Sequence, residues 1–266
     1  MTTPAIPRPS VLQDLPDDFA DLRPILEANL EPYIKMTETQ VTPPQVKHPA
    51  DPLTLWQSKL GGNPYFPKQA TYPTDPSTQL PMALLVQINC SEVPTIAGFD
   101  FPTQGLLQFY VGGAQLAEAY RTKSVQVLYF PEVTEDIEAL MTDFSFIPLR
   151  ETYRDTFDAV YSLSFSVSQD VFLDWHPPDL ENFDPDLVAD FEDWIYDYYI
   201  DNGANHLGSK LAGWPDPHGS VPGHWQRLLL EVANLGGVSE SVYFFLEDDR
   251  LRARDFSAVR FYHECD

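Results

Sequence analysis

A chain of 266 residues with 40 Asp and Glu against 16 Lys and Arg carries a formal net charge of −24, which argues against nucleic acid and anionic membrane surfaces as partners. That charge suits a soluble protein, a cation binder or a partner for something basic. Hydrophobic content of 43% supports a packed core, 25 prolines exclude a mostly helical fold, and two cysteines, Cys90 and Cys265, exclude a disulfide framework.

Residues 1–14 are Pro-rich without a signal-peptide core, and no apolar run in the sequence approaches the ~18 residues of a membrane span, so a cytoplasmic protein is expected. Over residues 17–36, Phe19, Leu22, Leu26, Leu30 and Ile34 recur at helical steps, and Pro24 and Pro32 divide the pattern into two short helices. Residues 37–54 read as extended, with His48 on the surface. Residues 1–50 are therefore expected to form a helical and extended arm, and residues 51–266 the main domain.

Within that domain two stretches correspond. The first repeat, 56–130, opens on S-K-L-G-G-N-P and holds the apolar runs L-L-V-Q-I-N, G-L-L-Q-F-Y-V and S-V-Q-V-L-Y-F. The second, 206–266, opens on S-K-L-A-G-W-P and holds L-L-L-E-V-A, E-S-V-Y-F-F-L and S-A-V-R-F-Y-H in the same order. The expected fold is α+β and internally duplicated: two related antiparallel β-meander halves with flanking helices and long Pro-rich loops.

Between the repeats, residues 131–205 hold a short helical turn near 134–141 and an alternating strand with a serine face at 159–173. A helix follows, with Asp184 as N-cap, Pro185 in its first turn and Asn202-Gly203 at its end. Leu187, Phe191, Trp194, Ile195, Tyr198 and Tyr199 share one face of it, and Asp186, Asp190, Asp193, Asp197 and Asp201 share another. Like charges at this spacing repel by about 0.2–0.5 kcal/mol per pair.

The string S-K-L-G-G-N-P-Y-F-P, then L-L-V-Q-I-N and G-L-L-Q-F-Y-V, resembles the YwqG-like family. The later L-A-G-W-P-D-P, L-L-L-E-V, V-Y-F-F-L-E-D-D and R-D-F-S-A-V resemble its second half. The resemblance spans roughly residues 50–266 and implies an α+β fold with antiparallel sheet in both halves, in a family without a firm activity. L-G-G-V-S-E departs from that family's G-D-x-G-like turn.

Lys59 and Lys210 take equivalent places beside glycine turns that could present N–H groups to an anion. With Gln87, Gln108, Trp214 and Glu231 they are the candidates for a ligand cleft between the repeats; the plainer reading of the three strand polar residues is pleat alternation toward solvent. Asp186, Asp190, Asp193 and Asp197 are the candidates for binding a basic protein, against a merely solvated acidic face. His218 and His224, with Asp216 nearby, lack metal-site spacing, and no phosphate-binding or nucleophile-elbow motif occurs. No cofactor, metal or catalytic residue is assigned. The leading expectation is a non-enzymatic acidic interaction module, inhibitor- or immunity-like, that binds a basic protein. The alternative is a small-ligand-binding protein or enzyme using the cleft.

Overall fold

The apolar runs form strands that pair in one sheet. The computed structural model describes residues 9–42, 51–112, 116–147, 159–171, 180, 182–201, 208–215, 227–233 and 240–265. Its strands are β1 (Leu30–Gln40), β2 (Lys59–Leu60), β3 (Ala83–Asn89), β4 (Leu106–Val111), β5 (Val125–Phe130), β6 (Tyr161–Val171), β7 (Lys210–Leu211), β8 (Arg227–Val232), β9 (Glu240–Leu246) and β10 (Arg260–Cys265). All pair antiparallel in the order β10-β9-β8-β7-β1-β6-β2-β3-β4-β5. Both expected meanders thus belong to a single ten-stranded sheet.

Residues directly opposite in neighbouring strands point the same way. Leu60, Val86, Phe109 and Val127 lie in register across β2 to β5, and Leu230, Phe244 and Phe261 lie in register across β8 to β10. Both rows belong to one apolar cluster. The Phe109 and Phe244 rings meet at 4.8 Å although their strands stand near opposite ends of the sheet. The sheet therefore curls into a nearly closed barrel around this cluster, leaving β5 and β10 as its edges.

Among the described residues the helices are few. α1 (Ser10–Gln13) and α2 (Arg23–Ala28) precede the sheet, α3 (Leu116–Thr122) joins β4 to β5, α4 (Pro185–Asp201) follows β6, and α5 (Asp248–Ala253) follows β9. The N-terminus of α4 forms as its sequence dictates: the Asp184 carboxylate accepts from the Asp186 N–H at 2.9 Å. Its apolar face buries Phe191 and Ile195 in a second cluster with Phe19, Leu22, Leu26 and Val171. Phe19 lies edge-on to Phe191 at 5.4 Å.

One expectation is corrected. The apolar spacing over residues 17–36 predicts two helices, but the helical part is a 3₁₀ turn at Asp17–Leu22 and α2, and Leu30–Gln40 is strand β1. Pairing with β6 from Leu30↔Val171 to Gln40↔Tyr161 outweighs the local spacing, as tertiary context commonly outweighs propensity. Pro32 is tolerated because β7 pairs only at Ile34 and Lys35, so β1 has a single strand neighbour at the proline. Residues 1–50, expected as an arm, thereby supply a strand at the middle of the sheet.

Candidate functional site

The cleft candidates lie on the sheet face opposite the barrel core, and they fall into two groups. Lys59, Gln87 and Gln108 are in register across β2, β3 and β4. Lys210 pairs with Glu231 across β7 and β8. Strands β6 and β1 stand between β2 and β7, a separation of about 14 Å at the usual strand spacing, so the two groups do not converge. Trp214 is exposed at 36% and belongs to neither.

None of the three strand polar residues faces solvent, and over Gln87 and Gln108 loops seal this side. Tyr65 packs on Leu106 and Leu140, Phe66 on Phe144 and Ile147, and Tyr72 against Tyr110 at 5.7 Å. Lys59, Gln87, Gln108 and Glu231 are fully buried. Buried polar groups must be paired, and Lys59 and the two glutamines are. The Gln87 amide donates to the Leu55 and Gln57 carbonyls at 2.7 and 2.8 Å, and its oxygen accepts from the Tyr65 N–H and from Gln108 Nε2, both at 2.7 Å. Gln108 Nε2 also donates to the Tyr65 carbonyl, and Gln108 Oε1 accepts from the Tyr110 hydroxyl at 2.9 Å. The chain ties the 55–66 loop to the sheet.

Lys59 Nζ donates to Asp51 Oδ2 at 2.7 Å and to the Asn63 carbonyl at 3.1 Å. Asp51 accepts as well from the Leu53 and Asn63 N–H groups, both at 2.8 Å. Gly62, at φ +73°, lets the loop cross this carboxylate: a Cβ there would sit 2.6 Å from Asp51 Oδ2. Burial pushes the Lys59 pKa down, and the charge and hydrogen bond of Asp51 push it part of the way back. In the other group, Lys210 Nζ lies 3.4 Å from Glu231 Oε2 and 5.8 Å from the centroid of the Tyr33 ring.

Sequence reasoning did not single out Asp51, Ser58, Ser209 or Tyr33. The serines hold matching bonds: Ser58 Oγ accepts from the Asn89 N–H at 2.8 Å, and Ser209 Oγ from the Ala233 N–H at 3.1 Å. Their carbonyls accept from Leu163 and Met36 N–H groups on the two long strands. The available signal was the shared S-K-L string, which begins both short strands.

Asp186, Asp190, Asp193 and Asp197 are all exposed on α4, opposite its buried Phe191 and Ile195. No lysine or arginine lies on this helix. Of the histidines, His263 is described; its Nε2 lies 3.7 Å from Glu240, and burial pushes its pKa down. His48, His176, His206, His218, His224 and Asp216 lie outside the described residues, as does Asn202-Gly203. Among the described residues no three His, Cys, Asp or Glu side chains gather as a metal site requires, and no helix is long and apolar enough to cross a membrane.

A family model described as a domain of unknown function (DUF1963) matches residues 58–265. No curated protein matches the chain.

Proposed function

We propose, from the premise that the chain belongs to the DUF1963 family of domains of unknown function, that it is a non-enzymatic acidic interaction module whose α4 face binds a basic protein. The observation that carries this reading is the pairing of an exposed acidic stripe with a rigid base. Asp186, Asp190, Asp193 and Asp197 project from one side of a helix whose other side is locked into an apolar cluster. Such a stripe presents a preorganised negative surface, which steers a cationic partner and sets its orientation. The groups that would have lined a cleft, Lys59, Gln87, Gln108, Lys210 and Glu231, already pair within the chain, which favours the α4 face over a ligand site there.

Two finer readings accompany this one. The fold is read as an internal duplication and the chain as a YwqG-like protein of the cytoplasm. Supporting the duplication, the β-bulge at Leu84/Val86 has a counterpart at Leu228/Leu230, the two serine bonds match, and β1 and β6 take equivalent central places.

The test is capture from native lysate at low and moderate salt, comparing the natural chain with Asp190→Lys/Asp193→Lys and identifying what is retained. A basic protein held only by the natural chain, and released by salt, is the expected result. Retention unaffected by the charge reversal refutes the assignment of this face.

A further inference from the structure

Along the chain β1 precedes the β2–β5 meander and β6 precedes the β7–β10 meander, yet in the sheet β1 lies against β7 and β6 lies against β2. Each meander is completed by the strand that leads into the other. We propose that the surface joining the two halves of the chain is a dimer interface kept within one molecule. The halves on either side of residues 148–158 recognise each other as subunits by exchanging their first strands, and the matching half of a second copy of the chain fits the same surface. This rests on the reading of the fold as a duplication and is independent of the α4 face.

The registers carry the argument. β1 and β6 pair antiparallel, with Thr37 opposite Ser164. One residue before that point on each strand, the Met36 N–H donates to the Ser209 carbonyl and the Leu163 N–H to the Ser58 carbonyl. Two residues before it, Lys35 is opposite Lys210 and Ser162 is opposite Lys59. Three residues before it, Ile34 is opposite Leu211 and Tyr161 is opposite Leu60. A twofold axis through the Thr37–Ser164 pair therefore relates the two exchanges. That is the self-complementary contact made by two copies of one subunit.

What the first half donates is held by side chains of the second. Ile34 and Met36 are buried in the barrel cluster with Leu211, Leu229 and Leu230, and Glu38 accepts from the Ser209 hydroxyl at 2.6 Å. Ahead of β1, the Phe19 ring meets those of Phe191 and Trp194 at 5.4 and 5.6 Å, and Asp14 accepts from the Tyr198 hydroxyl at 2.8 Å. The stretch after β5 stays with the first half: the Thr134 N–H donates to the Tyr65 hydroxyl and the Met141 N–H to the Phe66 carbonyl. The link between the halves thus runs from a segment bonded to the first half to the strand donated to it. Contacts of this kind resemble an obligate interface, a core divided in two. With the link intact, the halves face each other at an effective concentration of about millimolar, so one chain closes on itself in dilute solution.

The test inserts a protease recognition sequence after residue 152 of the full chain and cuts the folded protein. The halves should elute together at about 1 µM, at the size of the uncut chain. The thermal midpoint of the cut protein should rise with its concentration, and that of the uncut protein should not. When a cut preparation tagged on its second half is unfolded in urea, mixed with an untagged one and refolded, the tag should recover first halves of both origins. Ile34→Asp and Tyr161→Asp, at positions related by the axis, should each weaken association at least tenfold. Thr37→Glu, on the exposed outer face, should leave it within about twofold. Co-expression of the halves as separate chains gives the same readouts if the inserted sequence impairs folding. The proposal is overturned if halves of natural sequence separate at that concentration, if the cut protein's midpoint does not depend on concentration, or if refolding returns only unassociated halves; the duplication, which stands on the matched registers, would survive. A firm complex weakened at only one of the two related positions counts instead against the equivalence of the repeats and leaves the exchange standing.

Discussion

Lys59 Nζ lies 2.7 Å from Asp51 Oδ2, with the two side chains at 0% and 1% exposure. Removing one charge from such a pair leaves the other buried without compensation, which costs about 3–5 kcal/mol. Asp51→Asn should therefore lower stability by that order near neutral pH, read from the urea midpoint. Lys59→Met in the same chain should restore much of the loss, because the amide introduced at position 51 still accepts from the backbone and no buried ammonium remains.

The pair also has a pH signature. Burial holds the Lys59 pKa below its ordinary 10.5, with Asp51 opposing. Between that lowered value and 10.5 the unfolded chain keeps the proton and the folded chain does not, so the Lys59 contribution to stability rises with pH through this window. Without the Asp51 charge the window extends to lower pH. Urea midpoints measured from pH 7 upward should show the gap between Asp51→Asn and the natural chain narrowing.

The glutamine chain makes a separate prediction. Gln87→Leu strands the Tyr65 N–H, the Leu55 and Gln57 carbonyls and part of Gln108 in a sealed layer. Each orphaned buried group costs about 1–3 kcal/mol, so the loss should exceed that of a surface substitution such as Gln126→Leu severalfold. Hydrogen exchange at the Tyr65 amide should accelerate before global unfolding. Unchanged protection there would contradict the role given to Gln87.

On α4, stability and binding should move in opposite directions. Asp186, Asp190, Asp193 and Asp197 repel one another at three- and four-residue spacing, at about 0.2–0.5 kcal/mol per pair. Asp190→Lys/Asp193→Lys turns the 186–190 and 193–197 pairs attractive, leaves 190–193 a like-charged pair, and should raise the thermal midpoint slightly at low salt while weakening the partner. A stripe retained at a cost to stability is the pattern expected of a binding surface.

Cys90 should be inert in the folded chain. It is fully buried, and burial pushes its thiol up to about 12. Thiol reagent at pH 8, followed by peptide mapping, should leave Cys90 unmodified until denaturant is added.

The apolar runs at β3, β4, β8 and β9 were legible because strands buried on both faces are continuously hydrophobic. Helix α4 was legible in its cap, its apolar side and its acidic stripe alike. Strand β1 was not, because Leu22, Leu26, Leu30 and Ile34 continue a helical spacing across a boundary set by distant β6. The two-residue strands β2 and β7 were too short to register as anything but turns. Gln87, Gln108 and Glu231 alternate with apolar neighbours as solvent-facing residues would. For Gln87 and Gln108 that burial depends on the 55–82 loop, whose placement over the sheet no local pattern encodes.

The central claim is that the acidic face of α4 binds a basic protein. Its most direct test is the affinity of the captured, purified partner for the natural chain and for Asp190→Lys/Asp193→Lys, titrated at several salt concentrations. The account predicts affinity that falls steeply with salt for the natural chain, and a several-fold weaker, flatter dependence for the variant. Equal affinity and equal salt dependence in the two chains would contradict it.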